Sequence, residues 1–482
     1  MCAATPPLHV VILAAGKGVR LNSALAKVMH PLFEKPLLAH VLDSLLALSP
    51  QSVQVVVGHQ REAVQAFLSD YAQKRAPGYA ISTAVQEAQL GTGHALMQAA
   101  AAPDAPRGGC ALILSGDVPL IRPQTLTALL AQHQSEGNHL TLLSADLPEP
   151  TGYGRVLRQD RRVTRIVEEK DASEAERALT RVNAGVYAMD WAACAPLLEK
   201  LSAQNAQGEF YLTDLVALAN AADLQTGDCT LQDPEEMLGV NSRADLAACY
   251  RALRTRTATH WMREGVTIID PATTLIGPDV TIGADTTLYP GACLMGDVVI
   301  GSQCEIGPYT TLGGRVRVGD RARVIASIAR DAEIGADTSV GPFAHLRDGV
   351  RLSDRVRVGN FVEVKNTVIG PDSNAAHLCY LGDARMGANV NMGAGAITAN
   401  YDPIRDEKHL TVLEDGVKVG CNAVLVAPVT LGERATVAAG SVITHDVAAG
   451  DLAIARSRQS VIAGWVARVQ SQQAGQTSAS GV

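Results

Sequence analysis

The first half of the chain alternates between short apolar runs and segments in which apolar residues recur every three or four positions. The apolar runs predict buried strands, and the recurrence predicts amphipathic helices. The predicted strands are residues 10–15, 53–57, 111–114 and 140–144, and the clearest helices are residues 37–48 and 126–133. Strands that alternate with helices predict a Rossmann-like α/β domain, whose mostly parallel sheet is covered on both faces.

The second half of the chain carries a repeat with a period of six residues. The pattern starts at Ile276 and returns in phase from residue 334 and from residue 419. One inward aliphatic residue followed by a Gly, Asp or Asn turn makes one flat face of a triangular coil, so that three hexads complete a turn. The inward residues of the first block are Ile276, Ile282, Leu288, Leu294, Ile300 and Ile306. Residues 266–446 therefore predict a parallel β-helix of about ten coils.

Three segments lie outside these two patterns. Residues 242–264 predict one long helix that begins at a Ser242 cap and ends at Gly265. The repeat loses its phase from Asn400, where we expect a loop that leaves the coil. The last residues, from Gln470, are small and polar, and we expect them to be disordered. The predicted organisation is an α/β domain (1–241), a linker helix (242–265), a β-helix (266–446) and a C-terminal tail (447–482).

Composition and charge limit the function classes. The chain has 482 residues, of which 47% are hydrophobic and 19% charged, so it can bury more than one core. Aromatic residues make up only 4% of the chain, which agrees with a narrow aliphatic column inside the β-helix. The net charge is −8, because 41 Lys and Arg face 49 Asp and Glu. A negative balance argues against nucleic acid as the main partner, since binding it needs clustered cations.

The cysteines and the hydropathy profile bear on the cellular compartment. The nine cysteines are scattered singly, without a CxxC pair or metal-ligand spacing, which favours a reducing compartment. No apolar stretch approaches the ~20 residues of a spanning helix. We therefore expect a cytoplasmic protein that does not insert into a membrane.

The first chemical site is predicted where residues 10–21 pass from a strand into a glycine-rich turn. Gly16 and Gly18 allow backbone N–H groups to approach a phosphate, and cations follow at Lys17, Arg20 and Lys27. The spacing fits neither the dinucleotide fingerprint nor a nucleotide P-loop. On these residues alone, an ordinary glycine turn after a strand stays open.

Four further segments add groups with suitable chemistry. Asp117 follows an apolar strand, where a carboxylate can hold Mg²⁺. Gln86 has two donors and an acceptor for the edge of a nucleobase, and a tight turn follows at Gly91 and Thr92. The other polar candidates are Gly154, Glu168, Asn183 and Asn241.

The second chemical site is predicted on one edge of the β-helix. Arg347 and Lys365 are 18 residues apart in unbroken register, so they stack one coil above the other and could hold an anion. Two solvated surface cations are the open alternative. His377 occupies the third place of its hexad, with Tyr380 three residues later. A track of small residues occupies the same hexad place at Ala394, Cys421 and Ala439.

In this order, the segments around the glycine turn resemble the sugar-1-phosphate nucleotidylyltransferases. Together with residues 377–401, they resemble more narrowly the bacterial bifunctional family of N-acetylglucosamine-1-phosphate uridylyltransferases and glucosamine-1-phosphate acetyltransferases. The resemblance implies that the β-helix is left-handed. It implies that uridine and phosphates are bound by Leu13, Ala14, Ala15, Gly16, Lys27, Gln86, Gly91 and Thr92. It further implies that the sugar is held by Gly154, Glu168 and Asn183, that Mg²⁺ is bound by Asp117 and Asn241, and that Arg20 and Lys27 are the catalytic cations.

The same resemblance assigns the second site. It implies that His377 is the general base for acetyl transfer. The amino-sugar phosphate is then held by Arg347, Lys365, Tyr380 and Asn391, and acetyl-CoA lies along Ala394, Asn400, Tyr401, Cys421, Ala439 and Arg456. The sequence departs from the family at three places, which are Ser115 where an aromatic residue is usual, Cys421 where a small hydroxyl residue is usual, and a slightly longer loop after Tyr401.

The expected function is therefore two-step synthesis of UDP-N-acetylglucosamine from small-molecule sugar phosphates, acetyl-CoA and UTP with Mg²⁺. The resemblance also implies a homotrimer assembled through the β-helix. Two alternatives remain: a single-function nucleotidylyltransferase whose β-helix is structural or regulatory, and a non-catalytic hexapeptide scaffold. His377 with Tyr380 argues against the first, and the glycine turn with Asp117 and Asn241 argues against the second.

Overall fold

The computed structural model describes residues 6–479, and the side chains as far as residue 473. The chain divides into two compact units, Met1–Thr257 and Ala258–Val482. No helix within residues 6–479 is long and apolar enough to cross a membrane.

The first unit is built on a nine-stranded mixed sheet. Its strands are β1 (Leu8–Leu13), β2 (Ser52–Val57), β3 (Ile81–Val85), β4 (Cys110–Ser115), β5 (Leu140–Asp146), β6 (Arg155–Gln159), β7 (Arg162–Val167), β8 (Arg181–Asp190) and β9 (Thr226–Thr230). The main order is β9-β5-β8-β4-β1-β2-β3, and β6 pairs with both β7 and β8. The pairs among β1, β2, β3 and β4 are parallel, whereas β8 runs antiparallel to β4 and β5.

Helices cover both faces of this sheet. The helices of this part of the chain are α1 (Leu37–Leu46), α2 (Arg61–Arg75), α3 (Thr92–Ala101), α4 (Pro123–Ser135), α5 (Glu174–Arg177), α6 (Trp191–Cys194), α7 (Leu215–Ala221) and α8 (Arg243–Arg263). Along β1, Val10 and Ile12 enter one core while Val11 enters the other, because successive side chains point to opposite faces. The predicted α/β domain is confirmed, but its sheet is mixed rather than mostly parallel: four strand pairs are parallel and four, all of which involve β6 or β8, are antiparallel. Strand β1 starts and ends two residues earlier than predicted, since residues 14–16 already form the turn.

Shorter elements complete this unit. A two-stranded hairpin joins Pro31–Leu32 to Lys35–Pro36, and 3₁₀ turns lie at Val19–Leu21, Lys27–Met29, Ala195–Lys200, Leu212–Asp214 and Pro234–Met237. Helix α8 opens with the predicted cap: the backbone N–H of Asp245 donates to Ser242 Oγ at 3.2 Å, and the N–H of Ser242 donates to Asp245 Oδ2 at 2.8 Å. The division between the units falls inside this helix, after Thr257.

The second unit is a parallel β-helix with three flat faces. The first face is formed by Thr267–Ile268, Thr287–Leu288, Glu305–Ile306, Arg323–Val324, Ser339–Val340, Arg357–Asn360, Asn374–His377, Asn391–Met392, Lys418–Val419, Thr436–Val437 and Leu452–Ala453. The second face is formed by Leu275–Ile276, Cys293–Leu294, Thr311–Gly313, Ile328–Arg330, His345–Leu346, Glu363–Lys365, Tyr380–Gly382, Ile397–Ala399, Val424–Val426 and Val442–Ile443. The third face is formed by Thr281–Ile282, Asp297–Ile300, Arg315–Val318, Glu333–Ile334, Arg351–Leu352, Val368–Ile369, Ala384–Met386, Thr411–Leu413 and Val429–Leu431.

The hexad pattern explains the interior of this β-helix. The core contains the inward aliphatic residues of successive coils, which stack face by face. The predicted break after Asn400 is a hairpin of Tyr401–Asp402 with Glu407–Lys408, outside the three faces. A last helix, α9 (Trp465–Ala479), lies where the sequence predicts disorder from Gln470, so the structure differs from that expectation through residue 479. Residues 480–482 lie outside the described part.

Candidate active sites

The glycine turn borders a cavity of about 380 Å³ at the carboxyl ends of β1, β3 and β4. Parallel strands bring their carboxyl ends to one edge of the sheet, which is where α/β domains place ligand-binding groups. The cavity is lined by Leu13, Ala14, Ala15, Gly16, Lys17, Lys27, Val28, Gln86, Gln89, Gly91, Thr92, Ala95, Ser115, Asp117 and Glu209. It therefore brings together the glycine turn, Asp117 and the Gln86 segment.

Lys27 lies between two oxygen-bearing side chains. Its Nζ forms an ion pair with Asp117 and donates to Asn241 Oδ1 at 2.6 Å. The backbone carbonyl of Asp117 accepts a hydrogen bond from the N–H of Val240, at 2.9 Å, which holds the two segments together. A carboxylate and a carboxamide oxygen thus converge on one cationic position, and hard oxygen donors of this kind are the ligands that Mg²⁺ prefers.

Arg20 lies apart from this cluster. It is an exposed residue of the 3₁₀ turn Val19–Leu21 and is not among the residues that line the cavity. Its catalytic role stays a prediction. Four lining residues were missed by the sequence reasoning: Val28, Gln89, Ala95 and Glu209, of which Gln89 and Glu209 are polar. Gln89 was within reach because it follows Gln86 by three residues, whereas Glu209 comes from a distant segment without a motif.

Gly91 connects the Gln86 segment to α3. Its φ angle is +108°, and a Cβ there would lie 2.6 Å from the carbonyl oxygen of Phe210. Only glycine satisfies both conditions. The N–H of Gly93 donates to the same carbonyl at 2.8 Å, and Thr92 Oγ1 accepts from the N–H of Leu212 at 3.2 Å. The turn is therefore held by the segment that also contributes Glu209.

The predicted sugar-binding residues form a second cluster in the same unit. The N–H of Asn183 donates to the carbonyl of Gly154 at 2.9 Å, and Asn183 Nδ2 donates to the hydroxyl of Tyr187 at 2.7 Å. Glu168 Oε1 accepts a hydrogen bond from Thr213 Oγ1 at 3.0 Å. Burial raises the pKa of the Glu168 carboxyl, because desolvation penalises its charged form.

On the β-helix, Arg347 and Lys365 stack as predicted. Leu346 pairs with Val364 on neighbouring coils, and the N–H of Arg347 donates to the carbonyl of Val364 at 2.9 Å. The Arg347 guanidinium also forms an ion pair of 2.8 Å with Glu363, the first residue of the strand that ends at Lys365. The two cations therefore lie one coil apart at the same edge of the second face.

A third cation joins them from the hairpin. Lys408 and Arg347, in that order of effect, lower the pKa of the Lys365 ammonium, because like charges disfavour its protonated form. Lys408 carried no signal in the sequence, since it lies in the segment where the hexad phase is lost. Three cations near one another form a position suited to an anion such as a phosphate.

His377 heads the predicted column at the edge of the first face. Backbone hydrogen bonds pass from Gly395 N–H to the His377 carbonyl (3.3 Å), from Asn422 N–H to the Ala394 carbonyl (2.8 Å) and from Gly440 N–H to the Cys421 carbonyl (2.8 Å). The Arg456 guanidinium donates to the Ala439 carbonyl at 3.0 Å and ends the column. His377, Cys421, Ala439 and Arg456 are exposed, and Ala394 is half-buried. The track of small residues beside His377 is therefore accessible.

The remaining candidates lie around this column. Tyr380 begins the second-face strand that follows His377, opposite Glu363. Asn391 is exposed and pairs with Asn374 of the neighbouring coil. Buried Asn400 donates a short hydrogen bond to Asp383, whereas Tyr401 is exposed at the start of the hairpin. These residues thus lie on different parts of the β-helix: Asn391 on the first face, Tyr380 on the second, and Tyr401 in the hairpin.

Comparison with known proteins gives a match for each unit. A model of the MobA-like NTP transferase domain matches residues 10–185, and the bacterial transferase hexapeptide model matches residues 273–314 and 410–445. A bifunctional protein GlmU from Exiguobacterium sp. strain AT1b is 46% identical over 95% of this chain and 99% of its own length. The chain belongs to the bifunctional GlmU family.

Other relatives agree over the same span. The bifunctional protein GlmU of Exiguobacterium sibiricum is 45% identical over 93% of this chain and 97% of its own length. That of Brevibacillus brevis is 45% identical over 94% of this chain and 95% of its own length. In this chain, the NTP transferase model matches the part that forms the mixed sheet. The hexapeptide model matches the parallel β-helix, which is left-handed. Each transferase half thus has its own compact unit.

Proposed function

We propose that this chain catalyses two consecutive reactions: acetylation of glucosamine-1-phosphate by acetyl-CoA, and uridylyl transfer from UTP to N-acetylglucosamine-1-phosphate with release of pyrophosphate. The observation that carries the proposal is the pairing of two separate sites in one chain. One is the Lys27, Asp117 and Asn241 cluster at the glycine turn, and the other is the His377 column beside stacked cations.

Uridylyl transfer requires alignment and neutralisation of charge rather than a covalent intermediate. A phosphate oxygen of the sugar phosphate attacks the α-phosphorus of UTP, and the bond to pyrophosphate breaks. Ala15, Gly16 and Lys27 line the cavity, and the backbone N–H groups of the first two and the Lys27 ammonium would bind the phosphates. Gln86 lies where the base would bind, and the Glu168 cluster offers acceptors for sugar hydroxyls.

Asp117 and Asn241 would hold Mg²⁺, which supplies positive charge to the reacting phosphates when bound. Their oxygens both contact the Lys27 ammonium. This arrangement keeps the carboxylate and the amide oxygen facing the cavity edge. Lys27 therefore couples the glycine turn to the metal-binding side chains.

Acetyl transfer needs a general base, a group of cations that binds the sugar phosphate, and a groove for acetyl-CoA. The 2-amine of the amino sugar attacks the thioester carbon, the C–S bond breaks to release coenzyme A, and His377 accepts the proton from the amine. Arg347, Lys365 and Lys408 would bind the phosphate. The small residues Ala394 and Ala439 leave room for an extended acetyl-CoA, and direct transfer requires no acyl-enzyme at Cys421.

A mass-spectrometric product assay tests this function. The protein is incubated with glucosamine-1-phosphate, acetyl-CoA, UTP and Mg²⁺, and each reagent is omitted in turn. We expect UDP-N-acetylglucosamine in the complete mixture, and only the acetylated sugar phosphate when UTP is left out. If UTP were used with supplied N-acetylglucosamine-1-phosphate while acetyl-CoA was never consumed, the β-helix would be a structural or regulatory module.

We further propose that the chain acts as a homotrimer assembled through the β-helix. The His377 column is an exposed edge, and a groove between neighbouring β-helices would enclose a cofactor that a single edge leaves open to solvent. Multi-angle light scattering at micromolar concentration should give three times the 50.6 kDa chain mass. A monomeric mass together with full acetyl transfer would contradict the assembly.

A further inference from the structure

The Gln86 side chain is held with its amide group in one orientation. It lines the cavity and is only 3% exposed. Its Nε2 lies 3.0 Å from the carbonyl oxygen of Gly91 and 3.0 Å from His94 Nδ1. A carbonyl oxygen can only accept, so the atom that faces Gly91 must be the NH₂ group. Both N–H bonds of this group then have acceptors, and Oε1 is left for a ligand.

His94 provides the second of these acceptors and is itself fixed. It lies in the first turn of α3, and its ring packs against Phe210 with centroids 6.1 Å apart. Its Nε2 lies 3.3 Å from Nε2 of the Gln98 side-chain amide. Since Nδ1 accepts from Gln86, the ring proton belongs on His94 Nε2, and the Gln98 amide must be turned so that its Oε1 accepts from that N–H. The sequence GTGHA thus provides a partner for Gln86 eight residues away.

We propose that His94 is a positioning residue that sets the choice of nucleobase in the uridylyl reaction. With the Gln86 amide held this way, only an acceptor faces the bound base. Uracil presents an N–H at ring position N3, whereas cytosine presents a lone pair there. Gln86 Oε1 can therefore accept a hydrogen bond from N3–H of uracil, but it has no partner opposite N3 of cytosine. A site that depends on this hydrogen bond strongly rejects a base that cannot form it. This inference rests on the proposed uridylyl function.

Removal of the His94 acceptor should release the amide. In His94→Phe the ring still packs against Phe210, but one Gln86 N–H loses its partner. The Gly91 carbonyl alone then opposes rotation of the amide, so the orientation that offers a donor to the base becomes more populated. We expect the ratio of kcat/KM for UTP to that for CTP to fall ~10-fold, the effect of one lost hydrogen bond. In His94→Asn, the Oδ1 atom replaces Nδ1 as acceptor, and we expect most of the selectivity to return.

The experiment measures pyrophosphate release with UTP and with CTP, each with N-acetylglucosamine-1-phosphate and Mg²⁺, for the full chain and both variants. His133→Phe is the matched control, because His133 lies on α4, hydrogen-bonds to Thr141 and lines no part of this cavity. Thermal melting of each chain checks folding, and His94→Ala replaces His94→Phe if the latter does not fold.

The outcomes separate the two proposals. If the unmodified chain releases no pyrophosphate with either nucleotide, the proposed uridylyl function fails. If the unmodified chain uses UTP, and a folded chain without the His94 acceptor keeps the same UTP to CTP ratio, the positioning role of His94 is wrong. An equal loss with UTP and CTP would also contradict it, since a purely structural role changes both alike.

Discussion

Glu168 shows how burial prepares a single side chain for binding. Its carboxyl group is removed from water beside Thr213, and the nearby Asp214 and Asp171 also disfavour its ionisation. The pKa of Glu168 therefore lies above its ordinary value of 4.5. In the proposed function, the carboxylate would accept hydrogen bonds from sugar hydroxyls above that raised pKa, and the protonated group would lose part of this capacity below it.

This environment predicts a pH dependence of substrate binding in the uridylyl reaction. As the pH falls through the raised pKa of Glu168, the KM for N-acetylglucosamine-1-phosphate should rise, while the KM for UTP should change less. In Glu168→Gln the KM should be higher at neutral pH and should lose this pH dependence. Steady-state kinetics measured from neutral pH downwards test both expectations. An unchanged pH profile in the variant would assign the transition to another group.

Lys408 supports a second prediction at this scale. In Lys408→Ala the cluster keeps Arg347 and Lys365 but loses the cation from the hairpin. The KM for glucosamine-1-phosphate in acetyl transfer should rise ~5-fold or more, since a charge-assisted contact to phosphate is lost. Lys74→Ala, on exposed α2, is the control for a general loss of positive charge. Equal KM values in the two variants would remove Lys408 from the site.

Sequence reasoning located the residues that follow strands or keep the hexad phase. Asp117 was found because it follows an apolar run, and Arg347 and Lys365 because their spacing is one coil. Lys408 and Glu209 were missed for a physical reason. Each lies in a segment that has no repeat or motif, so its position in the sequence does not reveal that folding brings it to the site.

At the scale of elements, the β-helix depends on its inward aliphatic column. Leu288 is 0% exposed and pairs with Ile268 and Ile306 on the neighbouring coils. Val299 is 38% exposed at an outward position of its strand. Leu288→Ala should lower the free energy of unfolding by about 2–5 kcal/mol, because it leaves a cavity in a close-packed column. Val299→Ala should cost no more than ~0.5 kcal/mol.

Urea unfolding followed by circular dichroism compares these two variants in the full chain. The difference between them is the decisive quantity, since both remove aliphatic carbon from the same β-helix. Equal costs would mean that the hexad phase does not separate the inside of the coil from the outside.

The elements also show where pattern reasoning loses information. The hexads predicted the three faces because each hexad carries one inward aliphatic residue. The structure also buries a second position in each hexad, such as Thr286, Ala292 and Val298, which the pattern did not reveal. Strand β1 was placed two residues late, since Ala14 and Ala15 continue the apolar run into the turn. The α9 helix follows a polar segment whose composition predicted disorder, and its described side chains are nearly all exposed. Composition therefore does not specify the local structure of that segment.

At the scale of the whole molecule, each compact unit contains one complete set of candidate groups. The glycine-turn cavity and the Lys27 cluster belong to Met1–Thr257, and the His377 column with the three cations belongs to Ala258–Val482. The sequence predicted this division from its change of period near residue 265. It could not predict the place at which the long helix passes from one unit to the other, because helical spacing is continuous there.

The most direct measurement is the activity of two single variants in both half-reactions. His377→Ala should abolish acetylation of glucosamine-1-phosphate and leave pyrophosphate release from UTP and N-acetylglucosamine-1-phosphate intact. Asp117→Ala should abolish pyrophosphate release and leave acetylation intact. Loss of both activities in either folded variant would contradict two independent sites in one chain.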